Sequence, residues 1–133
     1  MTRETFDDAT EALLSRIEAI GAAANADGWL ELPRKVEGAL ATARSYGVVN
    51  TCFDLTIFEN MIATTIRDNE RRVREYGSRY RPIDPARVRR LREWSVELTA
   101  VRHSLTAIVQ AQSNADAAKR DAQRSAARGG MSW

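Results

Sequence analysis

The stretch DPARVRRLREWSVELTAVRHSLTAIVQAQSNADAAKRDAQRSAARG, residues 84–129, decides the fold. Asp84-Pro85 is a helix start, because the Asp carboxylate can accept a hydrogen bond from a first-turn N–H while Pro at the first helical position loses no helical donor. No Gly or Pro follows until Gly129. Val88, Leu91, Leu98, Val101, Leu105, Ile108 and Val109 recur at helical spacing, and then the apolar stripe stops. From Ala111 to Arg128 only Ala and polar residues remain. A helix of roughly 44 residues at ~1.5 Å rise is about 65 Å long, longer than a compact domain of this size is wide. The reading is therefore a helical bundle over residues 1–110 and a C-terminal extension and tail over 111–133, part of which must project or be covered by another chain.

Upstream, the helical pattern repeats three times. Thr5 followed by Asp8 resembles a capping box, placing the start of a first helix near Thr2 or Thr5. Phe6, Ala9, Leu13, Ile17, Ile20 and Ala24 form its expected apolar face; Gly21 weakens it, and Gly28 suits a left-handed closing position. Pro33 fits the first turn of a short second helix carrying Val36, Leu40 and Ala43, which Gly47 stops. Asn50 is the expected cap of a third helix, with Asp54 as a first-turn acid and Leu55, Phe58, Ile62, Ile66, Asn69 and Val73 facing the core. Ser78 to Ile83 reads as a loop, and Pro82 and Pro85 keep the third and fourth helices from merging. No segment alternates convincingly with period two. The expected fold is all-α: an antiparallel bundle of about four helices, the last one long and projecting, followed by a short tail.

The composition narrows the classes of function. At 133 residues and 44% hydrophobic, the chain supports one domain with a modest core. No apolar run reaches the ~18–20 residues that cross a bilayer, and the polar opening Met1-Thr2-Arg3-Glu4-Thr5 lacks the basic flank and apolar stretch of a secretory signal. A cytoplasmic or virion location is expected. Cys52 is alone, which excludes an internal disulfide and a thiolate zinc site and suits a buried structural thiol. Net charge is +2 but divided: residues 1–31 hold two Arg against seven carboxylates, while residues 67–92 hold ten Arg against four. That asymmetry serves intramolecular packing, head-to-tail contact between identical subunits, or attraction of an anionic polymer.

Catalytic constellations are missing from the sequence. His103 is the single histidine, no His-Glu-x-x-His pair exists, and Ala100 stands where a di-iron bundle would place Glu. Glycine-rich phosphate loops and the three-glycine dinucleotide fingerprint do not occur. A Cys52–His103 pair is arithmetically available, but a lone Cys at the start of an apolar helix is core material. No cofactor, metal or catalytic residue is expected.

The informative places are two. Arg67, Arg71 and Arg74 lie on one flank of the third helix, Arg87 and Arg90 begin the fourth, and Tyr76 and Tyr80 lie between, a composition that grips phosphates, stacks on bases, or builds protein interfaces. At the terminus, Gly129-Gly130 precedes Met131 and Trp133, which read as a C-terminal anchor for a neighbour's groove. The leading expectation is a non-enzymatic assembly protein that forms a homo-oligomer by head-to-tail contacts and engages at least one other protein. Small helical bundles with projecting C-terminal arms serve as head-tail adaptors between portal and tail of tailed bacteriophages, and the likeness to them is one of architecture alone. The alternative is a nucleic-acid-associated helical subunit, such as a small DNA-packaging subunit, with the Arg band on phosphates.

Overall fold

The computed structural model describes residues 6–129. It contains α1 (Asp8–Ala26), α2 (Glu31–Tyr46), α3 (Val49–Tyr76), a single 3₁₀ turn (Gly77–Arg79) and α4 (Pro85–Gly129). The described residues hold no strand, and no helix among them is long and apolar enough to cross a membrane.

Local chemistry explains most helix ends. Asp84 Oδ1 accepts the Ala86 N–H at 2.8 Å and its carbonyl accepts the Val88 N–H at 3.0 Å, the start anticipated for α4. For α1 the cap is Asp7, whose carboxylate accepts the Thr10 N–H at 2.8 Å. Thr5, the expected alternative, lies outside the described residues. The bond from Thr10 holds the Asp7 carboxyl below the usual carboxylate range. This start also moves the buried face: Thr10 is inside, and Ala9, expected on the apolar face, is exposed. Gly28, at φ 84°, closes α1, and the Trp29 N–H reaches back to the Ala24 carbonyl at 3.0 Å. Gly47, at φ 91°, closes α2 with its N–H on the Ala43 carbonyl.

Two expectations at the start of α3 need correction. Asn50 sits exposed within the first turn, and Val48 precedes the helix without any side-chain cap. Asp54 lies beyond the first turn and packs toward α2, where burial pushes its carboxyl up. Gly21 is corrected as well. It sits buried inside an unbroken α1, and an added Cβ would lie 2.9 Å from Val36 Cγ1, so this glycine sets the close approach of α1 and α2.

Each helix touches its two neighbours in the order α1, α2, α3, α4 and back to α1. Cross-pairs fix the directions. Glu11–Arg44 and Gly21 against Val36 make α1 and α2 antiparallel; Arg16–Glu97 and Asp27–Arg90 do so for α1 and α4; Glu59–Arg102 and Glu70–Arg92 do so for α3 and α4. Leu14, Ile17, Leu32, Leu55, Ile62, Leu91, Leu98, Val101 and Leu105 are almost fully buried between the four. Trp94 joins them, filling the gap that the sequence stripe left between Leu91 and Leu98. Val73, expected in the core, is 43% exposed because the last turns of α3 run past the start of α2.

The α1–α2 and α3–α4 connections share one end of the bundle, and α4 leaves from the other. Leu105 is its last buried side chain, Ile108 and Val109 are half-buried, and every residue from Gln110 to Gly129 is exposed. This arm is about 30 Å long at ~1.5 Å per residue.

Midway along, Glu59 clamps α3 to α4. Its carboxylate accepts Arg102 Nε at 2.6 Å and the Thr99 hydroxyl. Burial pushes its carboxyl up, but Arg102 and Thr99 outweigh that, and the net displacement is downward from 4.5. A depressed carboxyl stabilises the fold above its unfolded value and loses that contribution as pH falls through the folded one. Glu59→Gln is therefore expected to lower stability at pH 7 by about 1 kcal/mol, and urea unfolding should show the gap to wild type closing as the pH falls below the ordinary Glu range.

Candidate interaction surfaces

Asn69 organises the basic end of the molecule. It is 8% exposed, and its side-chain oxygen accepts both the Tyr80 hydroxyl at 3.1 Å and the Ile83 N–H at 2.9 Å. One amide thus pins the whole α3–α4 connection against α3, bending the chain so that arginines of both helices share an end. Tyr80 is engaged in this bend, while Tyr76 is 56% exposed. Asn69→Ala leaves two donors without their acceptor and is expected to cost about 2 kcal/mol. Hydrogen exchange should quicken first at residues 80–84, and Asn69→Asp, which keeps an acceptor oxygen, should restore most of the protection.

The structure brings the candidate arginines to this end but divides them. Arg67 donates to the Thr64 hydroxyl at 3.3 Å, and Arg71 pairs with Asp68 at 3.7 Å. Arg90 reaches Asp27, which caps the end of α1, at 2.8 Å, whereas Arg92 reaches Glu70 of α3 at 3.2 Å, so the two point to opposite flanks of α4. Among the described residues Arg74 and Arg87 carry no ion pair, and neither do Arg72, Arg79, Arg81 and Arg89. The acidic first helix is likewise drawn inward in part. Glu11 holds Arg44, and Asp27 holds Arg90, pairs separated by 33 and 63 residues. Charge division along the sequence therefore serves, in part, the packing of the monomer.

Beside Asn69, Pro82, Ile83, Pro85 and Val88 form a shallow apolar cleft of about 500 Å³ edged by Arg89 and Arg92. A larger groove of about 620 Å³ runs along α1 and α2. Its floor includes Gly21 and Ala22, and its walls include Leu30, Pro33 and Leu40. Sequence reasoning missed this groove, because it is made by two helices meeting at a glycine. A third apolar area lies where α4 leaves the bundle, with Tyr46, Val49 and Phe53 at 65–70% exposure. Its signal was the spacing of Val49 and Phe53, one turn apart on the face opposite Leu55 and Ile62.

Cys52 is half-buried, and its thiol donates to the Val48 carbonyl at 3.7 Å. His103 is exposed on α4. The proposed anchor residues Met131 and Trp133 lie outside the described residues.

Compared with known proteins, the chain matches no family model, no curated protein and no solved structure. The functional reading rests on the geometry above.

Proposed function

We propose that this chain is a non-enzymatic helical assembly subunit that associates with copies of itself head to tail and with at least one other protein. The observation that carries the reading is the arm: residues 110–129 continue α4 well past its last buried side chain and contribute none to the core. Selection for stability alone gives no reason to extend a helix that buries nothing. The arm and the body of a neighbouring copy are different surfaces, so contact between them is heterologous and repeats, closing into a ring where the rotation permits. The most concrete form of this proposal is an adaptor between portal and tail of a bacteriophage, a virion component. Sedimentation equilibrium over a concentration range tests it. Self-association beyond a monomer of 14.9 kDa is the expected result, and a strictly monomeric chain at all concentrations overturns the reading.

One observation favours a second reading, a nucleic-acid-associated subunit: Arg72, Arg74, Arg79, Arg81, Arg87 and Arg89 reach no carboxylate among the described residues. Several Arg on phosphates make binding fall steeply with salt, by a slope near −0.9 per phosphate for duplex DNA. Binding of a labelled duplex that is strong at low salt, and lost in the Arg71, Arg74, Arg87 and Arg90 quadruple Ala variant, is the expected outcome of that reading. Asp27→Ala serves as the control, because it breaks the Arg90 clip without removing a cation.

A further inference from the structure

Resting on the assembly reading, we infer that the groove between α1 and α2 receives the arm of a second copy of this chain. The groove has an apolar floor, and its charged lining is two carboxylates, Glu18 and Glu37, against one cation, Arg34, so it is net acidic. Gly21 lines it, Leu30 is 55% exposed within it, and Pro33 and Leu40 complete its apolar wall. Glu18 and Glu37 stand on its two sides, both exposed and neither held in an ion pair among the described residues.

The arm has the complementary surface. Arg120, Arg124 and Arg128 recur every four residues along one face, one turn beyond Asp116, and among the described residues the ion pair they make is Arg124 with Asp121, largely exposed. Like charges at this spacing repel and weaken the helix that bears them. Carboxylates from outside relieve that repulsion. Ala117 and Ala127 lie near this basic ridge, so its backbone can approach an apolar floor closely without large side chains in the way.

Position excludes the arm of the same chain. The groove reaches Asn25, Leu30 and Pro33 at the α1–α2 connection, while α4 leaves from the opposite end and runs away from it. The contact must be between copies, and because ridge and groove are different surfaces it propagates from one copy to the next.

The test is a charge swap in the full-length chain, read by sedimentation equilibrium, with circular dichroism confirming the fold. Glu18→Lys with Glu37→Lys should weaken self-association at least ten-fold, and Arg120→Glu with Arg124→Glu should do the same. Combining all four substitutions should restore association to within a few-fold of wild type. If the groove variant associates as wild type does while deletion of residues 111–133 abolishes association, the arm docks elsewhere and the inference is overturned, with the assembly reading intact. If the unmodified chain is a monomer throughout, both fall together. Loss of association in the separate variants without recovery in the combined one also overturns the inference, since it denies that ridge and groove meet.

Discussion

Deletion of residues 111–133 is expected to leave the bundle folded and to abolish self-association. No side chain from Gln110 to Gly129 is buried, and the pairs Arg124–Asp121 and Gln110–Asn114 within the arm are local and exposed. Pairs of that kind stabilise a fold by at most a few tenths of a kcal/mol each. The midpoint of thermal unfolding should therefore move by no more than about 2 °C, at the ~4 °C per kcal/mol typical of a domain this size. Far-ultraviolet ellipticity should fall only by the helix removed. The mass in solution should drop to that of one shortened chain at concentrations where the intact protein is assembled. A truncated chain that no longer folds would show that the arm belongs to the core after all.

The largest effect on stability is expected at Gly21. An added Cβ would stand 2.9 Å from Val36 Cγ1 and 3.3 Å from Val36 Cβ, and Val36 is itself 3% exposed, so it has nowhere to retreat. Gly21→Ala gains about 1 kcal/mol of helix propensity and loses more to overpacking, for a net cost of about 1 kcal/mol. Gly21→Leu drives α1 and α2 apart and should cost about 3 kcal/mol, lowering the unfolding midpoint by roughly 10 °C. The origin of the loss can be checked by pairing. Val36→Ala alone should be destabilising through its cavity, yet Gly21→Ala with Val36→Ala should be more stable than the sum of the two changes predicts. Plain additivity in that cycle would mean the two side chains do not meet.

What could be read in advance divides by range. The start of α4 at Asp84-Pro85, the closures at Gly28 and Gly47, and the exhaustion of the apolar stripe after Val109 are local facts, set by chemistry within a few residues. They were legible. Asp7 was passed over for Thr5 because two good capping types stand within three residues, and the choice depends on which start lets Leu13 and Leu14 both face inward. Trp94 was omitted from the stripe since it stands among Arg92, Glu93 and Glu97, where a large aromatic ring suits an interface as readily as a core. Gly21 was taken for a weakness because a glycine in a helix carries no mark of the helix packed against it.

The candidate surfaces were legible in composition and not in arrangement. Ten Arg between residues 67 and 92 announce a basic end. Nothing local announces that Arg90 turns to Asp27 while Arg92 turns to Glu70, because those partners are chosen by the antiparallel pairing of α4 with two different helices. Asn69 was placed on the core face, but its hold on Tyr80 and Ile83 depends on how the connection folds back.

The unbroken passage of α4 from bundle to arm has a kinetic and thermal consequence. A free peptide of this length must first form a hydrogen-bonded turn, at a penalty of about 4 kcal/mol for a nucleation constant near 10⁻³. Here the turns at Val101, Leu105 and Ile108, already fixed by packing, act as a permanent nucleus. The arm grows from them by propagation alone, each added residue near balance, so its ordered length shortens from the tip as temperature rises. Cooling lengthens the reach of the molecule, and warming retracts it, while the bundle beneath stays unchanged.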